Sequence, residues 1–266
     1  MHQSEDPVVL ALDYPGYRKA ARIGQLGLDG HGVRVHGLLR APLPRAVSGA
    51  GYAARLLANV PSGTGPITAV AAYCASAPLA FEVAAVLGGE PPLIVLFDPE
   101  ATSLDSITAD YRARLGALGI RLDEQELGER VDAVALAEDP ERFVDELTGE
   151  LAHQAHAALR AAGADEAEIA ASTTHMVSAY TDWLSHLVAA HHARTSPWEG
   201  EVLRLASADA DLSSFACAAG RQRALRLSCD RFELLRSQET RAVVLKALGL
   251  PLTSDTGERT ERCPAV

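Results

Sequence analysis

Cys74 stands in the run Ala71-Ala72-Tyr73-Cys74-Ala75-Ser76-Ala77, with an apolar segment, Ile67-Thr68-Ala69-Val70, before it and the helix-forming Leu79-Ala80-Phe81-Glu82-Val83-Ala84 after it. The order small-x-Cys-x-small, between a strand and a helix, is that of a nucleophile elbow. The turn is so sharp that only small neighbours fit beside the reactive residue. Such a turn lifts the nucleophile out of the sheet and aims the first N–H groups of the helix at a developing oxyanion. The expected chemistry is attack by the Cys74 thiol on an acyl group, with the backbone N–H of Ala75 as an oxyanion donor. A thiol at a helix N-terminus is expected to have a lowered pKa. The plain alternative is a buried structural cysteine. Two other polar positions sit at predicted strand ends, Asp98 after Leu93–Phe97 and the segment around Arg231. In parallel α/β sheets ligands gather at the carboxyl ends of strands.

The elements that must hold these residues follow from the apolar pattern. Pro7–Leu12, Gly32–Leu39, Ile67–Tyr73 and Pro92–Phe97 read as strands, the first ending at the turn sequence Asp13-Tyr14-Pro15-Gly16. Residues 47–60 and Pro78–Leu87 read as helices between them. Continuous apolar strands alternating with helices predict a mostly parallel sheet covered on both faces. From about 105 to 192 the composition turns to Ala, Glu, Leu and Arg with helical spacing. Phe143, Leu147 and Leu151 mark one helix face, Asp139-Pro140-Glu141 a helix start, and Thr173–His192 a further long helix. This is a helical insertion. Trp198-Glu199-Gly200 reads as a turn, Glu201–Ala206 and Ala224–Ser228 as strands, and Glu239–Leu248 as a last helix. Residues 253–266 read as a loose tail, leaving one domain over 1–252.

Bulk properties remove several classes. The 266 residues carry a net charge of −11, which argues against a nucleic-acid partner. Arg40, Arg45 and Arg55 are candidates for a local basic patch, against scattered surface charge. No apolar run approaches the roughly 18 residues of a membrane span, so no membrane partner is expected. Cys74, Cys217, Cys229 and Cys263 fit neither a zinc motif nor a disulfide framework, and free thiols in the cytoplasm are the expectation.

The stretch Ala72-Tyr73-Cys74-Ala75-Ser76-Ala77-Pro78-Leu79-Ala80-Phe81-Glu82-Val83-Ala84 resembles the Gly-Tyr-Ser-x-Gly-Gly-x-x-Ala-Phe-Glu-x-Ala block of α/β-hydrolase thioesterases of polyketide and nonribosomal peptide synthesis. Leu93–Asp98 resembles the next strand, which ends in the family's triad Asp. Residues 105–192 match its lid, and Cys229-Asp230-Arg231-Phe232-Glu233-Leu234-Leu235 resembles its Gly-Asp-His-Phe-x-Leu-Leu ending. The likeness spans about 60–250. It departs from the pattern at Ala72 and Ser76 for glycines, at Cys74 for serine, at Arg231 for the triad His, and at the loop through Tyr14, which in the family helps form the oxyanion hole.

The resemblance implies an α/β-hydrolase fold with a helical lid. It implies acyl transfer or cyclising release of a polyketide or peptide held as a phosphopantetheine thioester on an acyl or peptidyl carrier protein, in antibiotic-type biosynthesis, with no cofactor and no metal. Cys74 would accept the acyl group, supported by Asp98 and Arg231, with N–H groups at Ala75 and near Tyr14 on the oxyanion. Arginine cannot take a proton near neutrality. Arg231 is therefore expected to hold a thiolate or pair with Asp98, and release to an internal nucleophile, as in Cys-dependent Dieckmann-type cyclases, is favoured over release to water. His36, His191 and His192 are alternative bases, and Asp209 and Asp211 an alternative acid site. The competing readings are a catalytically degenerate binding module and a cyclase that works without covalent attachment.

Overall fold

The computed structural model describes residues 6–15, 20–193 and 197–251. The tail 253–266 with Cys263, and Gly16 and Tyr17 of the first loop, lie outside them. In chain order the elements are β1 (Val8–Leu12), β2 (Arg34–Gly37), α1 (Gly49–Leu57), β3 (Ile67–Tyr73), α2 (Ala77–Leu87), β4 (Leu93–Phe97), α3 (Leu104–Ala117), α4 (Glu124–Arg130), α5 (Ala133–Glu138), α6 (Pro140–Ala161), α7 (Glu166–His191), β5 (Trp198–Ala206), β6 (Ala219–Arg226) and α8 (Gln238–Ala247). The six strands form one sheet in the order β2-β1-β3-β4-β5-β6, every pairing parallel.

Side chains alternate between the two faces of a strand, and the sheet divides its core accordingly. Val8, Leu10 and Leu12 pack with Tyr52, Leu56, Leu79 and Phe81 of α1 and α2. Val9 and Ala11 pack on the other face with Leu26, Leu234 and Leu245. A third core, built from Ile107, Tyr111, Phe143, Leu147, Leu184 and Val188, belongs to the helical insertion and reaches Ala75 beside the elbow.

The predicted helix face Phe143, Leu147 and Leu151 is buried. Asp139 caps α6 by accepting from the Arg142 N–H, with Pro140 in the first turn. Helix α7 starts earlier than its apolar pattern indicates, because Asp165 forms a capping box with Glu168. Two other expectations need correction. Trp198-Glu199-Gly200 is not a turn but the start of β5, with a register irregularity between Trp198 and Glu201. The last strand runs over Ala219–Arg226, mostly exposed, rather than 224–228. An edge strand with polar residues on both faces carries no apolar run by which to recognise it. Of the three arginines, Arg45 is bound to Asp182 and Ser178 of α7, and Arg40 to the Gly37 carbonyl.

Candidate active site

Strand β3 delivers the chain to Cys74 and α2 carries it away. Between them Cys74 adopts φ 55°, left-handed backbone that non-glycine residues rarely take. This is the elbow. The neighbouring strand ends the same way: Tyr73 pairs with Phe97, and the next residue, Asp98, has φ 41°. Non-glycine backbone of this kind costs about 1–3 kcal/mol per residue and is held only where the surroundings enforce it. Two such residues side by side, at the carboxyl edge of the sheet, mark the place where strain has been built in.

The Cys74 thiol donates to Glu100 Oε2 at 3.1 Å. Arg231 Nη2 lies 3.1 Å from Cys74 Sγ and 2.7 Å from Glu100 Oε1, and closes a triangle of thiol, carboxylate and guanidinium. Arg231 Nε donates to the Tyr73 hydroxyl at 2.9 Å. Asp230 positions this arginine by accepting from the N–H groups of Phe232 and Glu233, which turns the chain after β6. Burial pushes the Cys74 thiol up to about 12, the Glu100 charge adds to the rise, and Arg231 and the Ala75 N–H oppose it. The expectation of a lowered thiol pKa is therefore overturned. The elbow's helix N-terminus is outweighed by desolvation and by a neighbouring carboxylate.

Asp98 is placed differently from the expectation of a pair with Arg231. It is buried, and its carboxylate accepts from Ser207 N at 2.7 Å and Ser207 Oγ at 2.9 Å, which ties the end of β4 to the loop after β5. Glu100, two residues on, is the carboxylate at the thiol. Its own N–H donates to the Cys74 carbonyl at 3.3 Å. Sequence reasoning passed over it. The available signal was a second carboxylate just past a strand's carboxyl end. Asp211, of the alternative acid pair Asp209 and Asp211, caps the turn at Ser213.

Cys74, Ala75, Tyr14 and Arg231 line one cavity of about 940 Å³ under α3, α6 and α7. Tyr14 meets Trp183 edge-on at 4.4 Å, and its carbonyl accepts from Arg22. The three candidate histidines are elsewhere. His191 Nδ1 faces the Thr102 carbonyl and His192 Nε2 the Leu136 carbonyl, each near 3 Å. His36 lies on β2 in a separate polar pocket with Arg34 and Thr64.

A fourth histidine is close to the elbow. His186 of α7 is fully buried, with Nε2 3.1 Å from Ser76 Oγ and Nδ1 3.2 Å from the Tyr52 hydroxyl, and it stacks on Trp183. Burial pushes its pKa down to about 3, so the ring is neutral. The only sequence sign of it was one polar ring in the apolar stretch Leu184–Ala190. It touches Ser76, not Cys74. Among the described residues no cluster of His, Cys, Asp and Glu is suited to a metal ion.

No protein-family model matches the chain, and no curated protein does. Solved structures do. The NocB thioesterase domain, in covalent complex with a fluorophosphonate nocardicin G analogue, is 17% identical with a TM-score of 0.52, over 91% of this chain and 94% of that one. A holo four-domain nonribosomal peptide synthetase bound to AMP and glycine is 15% identical with a TM-score of 0.50, over 93% of this chain. This chain spans 20% of that synthetase's length. The chain has the α/β-hydrolase fold. At this identity the likeness speaks for the fold, and the chemistry rests on the site. Within the α/β-hydrolase frame the tip of the turn after β3 carries a thiol, a glutamate stands against it, and an arginine bridges the two.

Proposed function

We propose that the protein transfers acyl groups from phosphopantetheine thioesters on a carrier protein to Cys74 and releases them to a second nucleophile, as a thioesterase-like enzyme of polyketide or peptide biosynthesis. The observation that carries this reading is the Cys74–Glu100–Arg231 triangle at the elbow. The proton acceptor that Arg231 cannot supply is Glu100.

As Sγ attacks the thioester carbonyl, the thiol proton passes to Glu100 and Arg231 holds the growing negative charge on sulfur. The Ala75 N–H, with the loop at Tyr14, stabilises the tetrahedral oxyanion. The pantetheine thiolate leaves with the proton from Glu100. One thioester replaces another, so the step is nearly neutral in free energy. In release, Glu100 takes the proton of the incoming nucleophile and returns it to Cys74 Sγ as that bond breaks. The cavity walls are largely apolar, which favours a nucleophile within the substrate, and hence cyclisation, over water. Asp98 is the support of this arrangement: its bonds to Ser207 fix the strand end from which Glu100 reaches the thiol. The free thiols Cys74, Cys217 and Cys229 suit the reducing cytoplasm.

Incubation with acyl-pantetheine tests this reading. Intact mass is expected to gain one acyl group on the wild type and none on Cys74→Ala. A second reading, cyclisation without covalent attachment, is favoured by the raised thiol pKa, with Glu100 acting directly on the substrate. It requires that Cys74→Ala form product at the wild-type rate, whereas the covalent reading requires that product disappear with the adduct.

A further inference from the structure

Among the described residues, the charged side chains that line the cavity are Arg231 and Arg114, in a chain whose net charge is −11. Arg231 is spent at the elbow on Glu100, Tyr73 and Cys74. Arg114, 52% exposed, rises from α3 among Ala117, Leu118 and Leu151 and makes one long ion pair, 3.7 Å to Asp110 a turn earlier, which is outside hydrogen-bond range and leaves its N–H donors open. Burial pushes the Asp110 carboxyl pKa up, and Arg114 opposes the rise. Asp182 of α7 is held by Arg45 at 3.1 Å and by the Leu43 N–H. Arg114 lies 5.8 Å above the ring of Tyr180, a second cavity-lining residue. Tyr180 is 3% exposed, and its hydroxyl has no hydrogen-bond partner among the described residues.

A guanidinium has five N–H donors in a planar fork matched to a carboxylate. The Tyr180 ring beneath that of Arg114 is part of the cavity wall, while the Tyr180 hydroxyl is closed off in the helical core. Guanidinium and ring meet on the helical side of the cavity, and Cys74 lies on the sheet side. We infer that the acyl chain delivered to Cys74 ends in a carboxylate, and that Arg114, seated over the Tyr180 ring, binds it. This rests on the acyl-transfer reading and names its substrate class as ω-carboxyacyl thioesters.

The test compares dodecanedioyl monopantetheine thioester with its methyl-ended counterpart, dodecanoyl pantetheine, by the rate of Cys74 acylation in intact mass. A charge-assisted carboxylate contact gives the wild type a preference for the dicarboxylic chain of roughly tenfold or more. In Arg114→Leu the ratio between the two substrates is expected to collapse towards one, and in Arg114→Lys to recover in part. Equal rates in the wild type, or a ratio that survives in Arg114→Leu, overturn the inference. The same two chains as unreactive thioethers, titrated calorimetrically into Cys74→Ala, read the subsite without chemistry. Equal affinities there overturn it too. A carboxylate preference in binding without acylation of Cys74 supports the subsite and sinks only the acyl-transfer reading.

Discussion

At the scale of single residues, Glu100 has two effects on Cys74 that pull apart under substitution. Its charge and its hydrogen bond hold the thiol protonated, with a pKa pushed up to about 12, and the same carboxylate is the proposed acceptor of that proton. Glu100→Gln removes a negative neighbour and leaves Arg231 free for the sulfur, so the thiol pKa falls and the thiolate fraction at pH 8 rises. Alkylation of Cys74 by iodoacetamide, followed by peptide mass to separate it from the other thiols, is expected to accelerate. Acyl transfer is expected to slow by roughly 10²–10⁴, the usual size of a general-base effect. Arg231→Gln should slow both, since it takes away the cation that lowers the thiol pKa. A Glu100→Gln protein that transfers acyl groups as fast as the wild type would remove the glutamate from the mechanism. The elbow was legible because small residues at 72 and 76 are a steric requirement of the turn. The glutamate was not, because nothing in Asp98-Pro99-Glu100 says which carboxylate faces the thiol. The left-handed turn at Asp98 decides it, sending that carboxylate to Ser207 and the next one to Cys74.

At the scale of elements, what holds α7 to the elbow is the buried chain Ser76–His186–Tyr52, which joins three elements through one neutral ring. Its pH dependence has a definite sign. The folded pKa of His186 is depressed from 6.5 to about 3, so above the unfolded value the ring is neutral in both states and costs nothing. As pH falls below 6.5 the unfolded chain takes a proton that the folded one refuses, and stability drops by about 1.4 kcal/mol per pH unit until the folded pKa is reached. Urea unfolding at pH 7.5, 6.0 and 5.0 is expected to show a loss in the wild type that is smaller in His186→Asn. Equal slopes would mean that the ring is not sealed from water. At pH 7.5 the same variant, and Ser76→Ala, should lose about 1–3 kcal/mol through unpaired buried groups. The sequence made α7 visible as a helix, but its start depended on a capping side chain, Asp165, that lies beyond the apolar pattern. Strand β6 was half visible for the opposite reason, since its exposed Arg221, Gln222 and Arg223 offer no apolar alternation.

At the scale of the whole molecule, the order of strands and helices was legible because a parallel sheet buried on both faces demands unbroken apolar strands, and β1, β3 and β4 have them. The way the helical insertion sits on the sheet was not, because it depends on which face of each helix meets the elbow. That contact sets the unfolding behaviour. The insertion has its own core around Tyr111, Phe143 and Leu184, but this core also packs against Ala75 at the elbow and includes Val47, just before α1. Asp182 of α7 further accepts from Arg45 and from the Leu43 N–H. A cap joined to its base through apolar contact, buried hydrogen bonds and an ion pair should not melt ahead of it. Leu184 is fully buried, and Leu184→Ala is expected to cost about 2–5 kcal/mol through lost transfer energy and the cavity left behind. For a chain of this length that lowers the melting temperature by roughly 5–15 °C. The expected calorimetric trace is one endotherm displaced to lower temperature, with the fluorescence of Trp183 in the insertion and Trp198 in the sheet changing together. Two endotherms, or an early change confined to Trp183, would show that the insertion unfolds alone and that its contact with the elbow is too weak to keep the cavity wall in place beside Cys74.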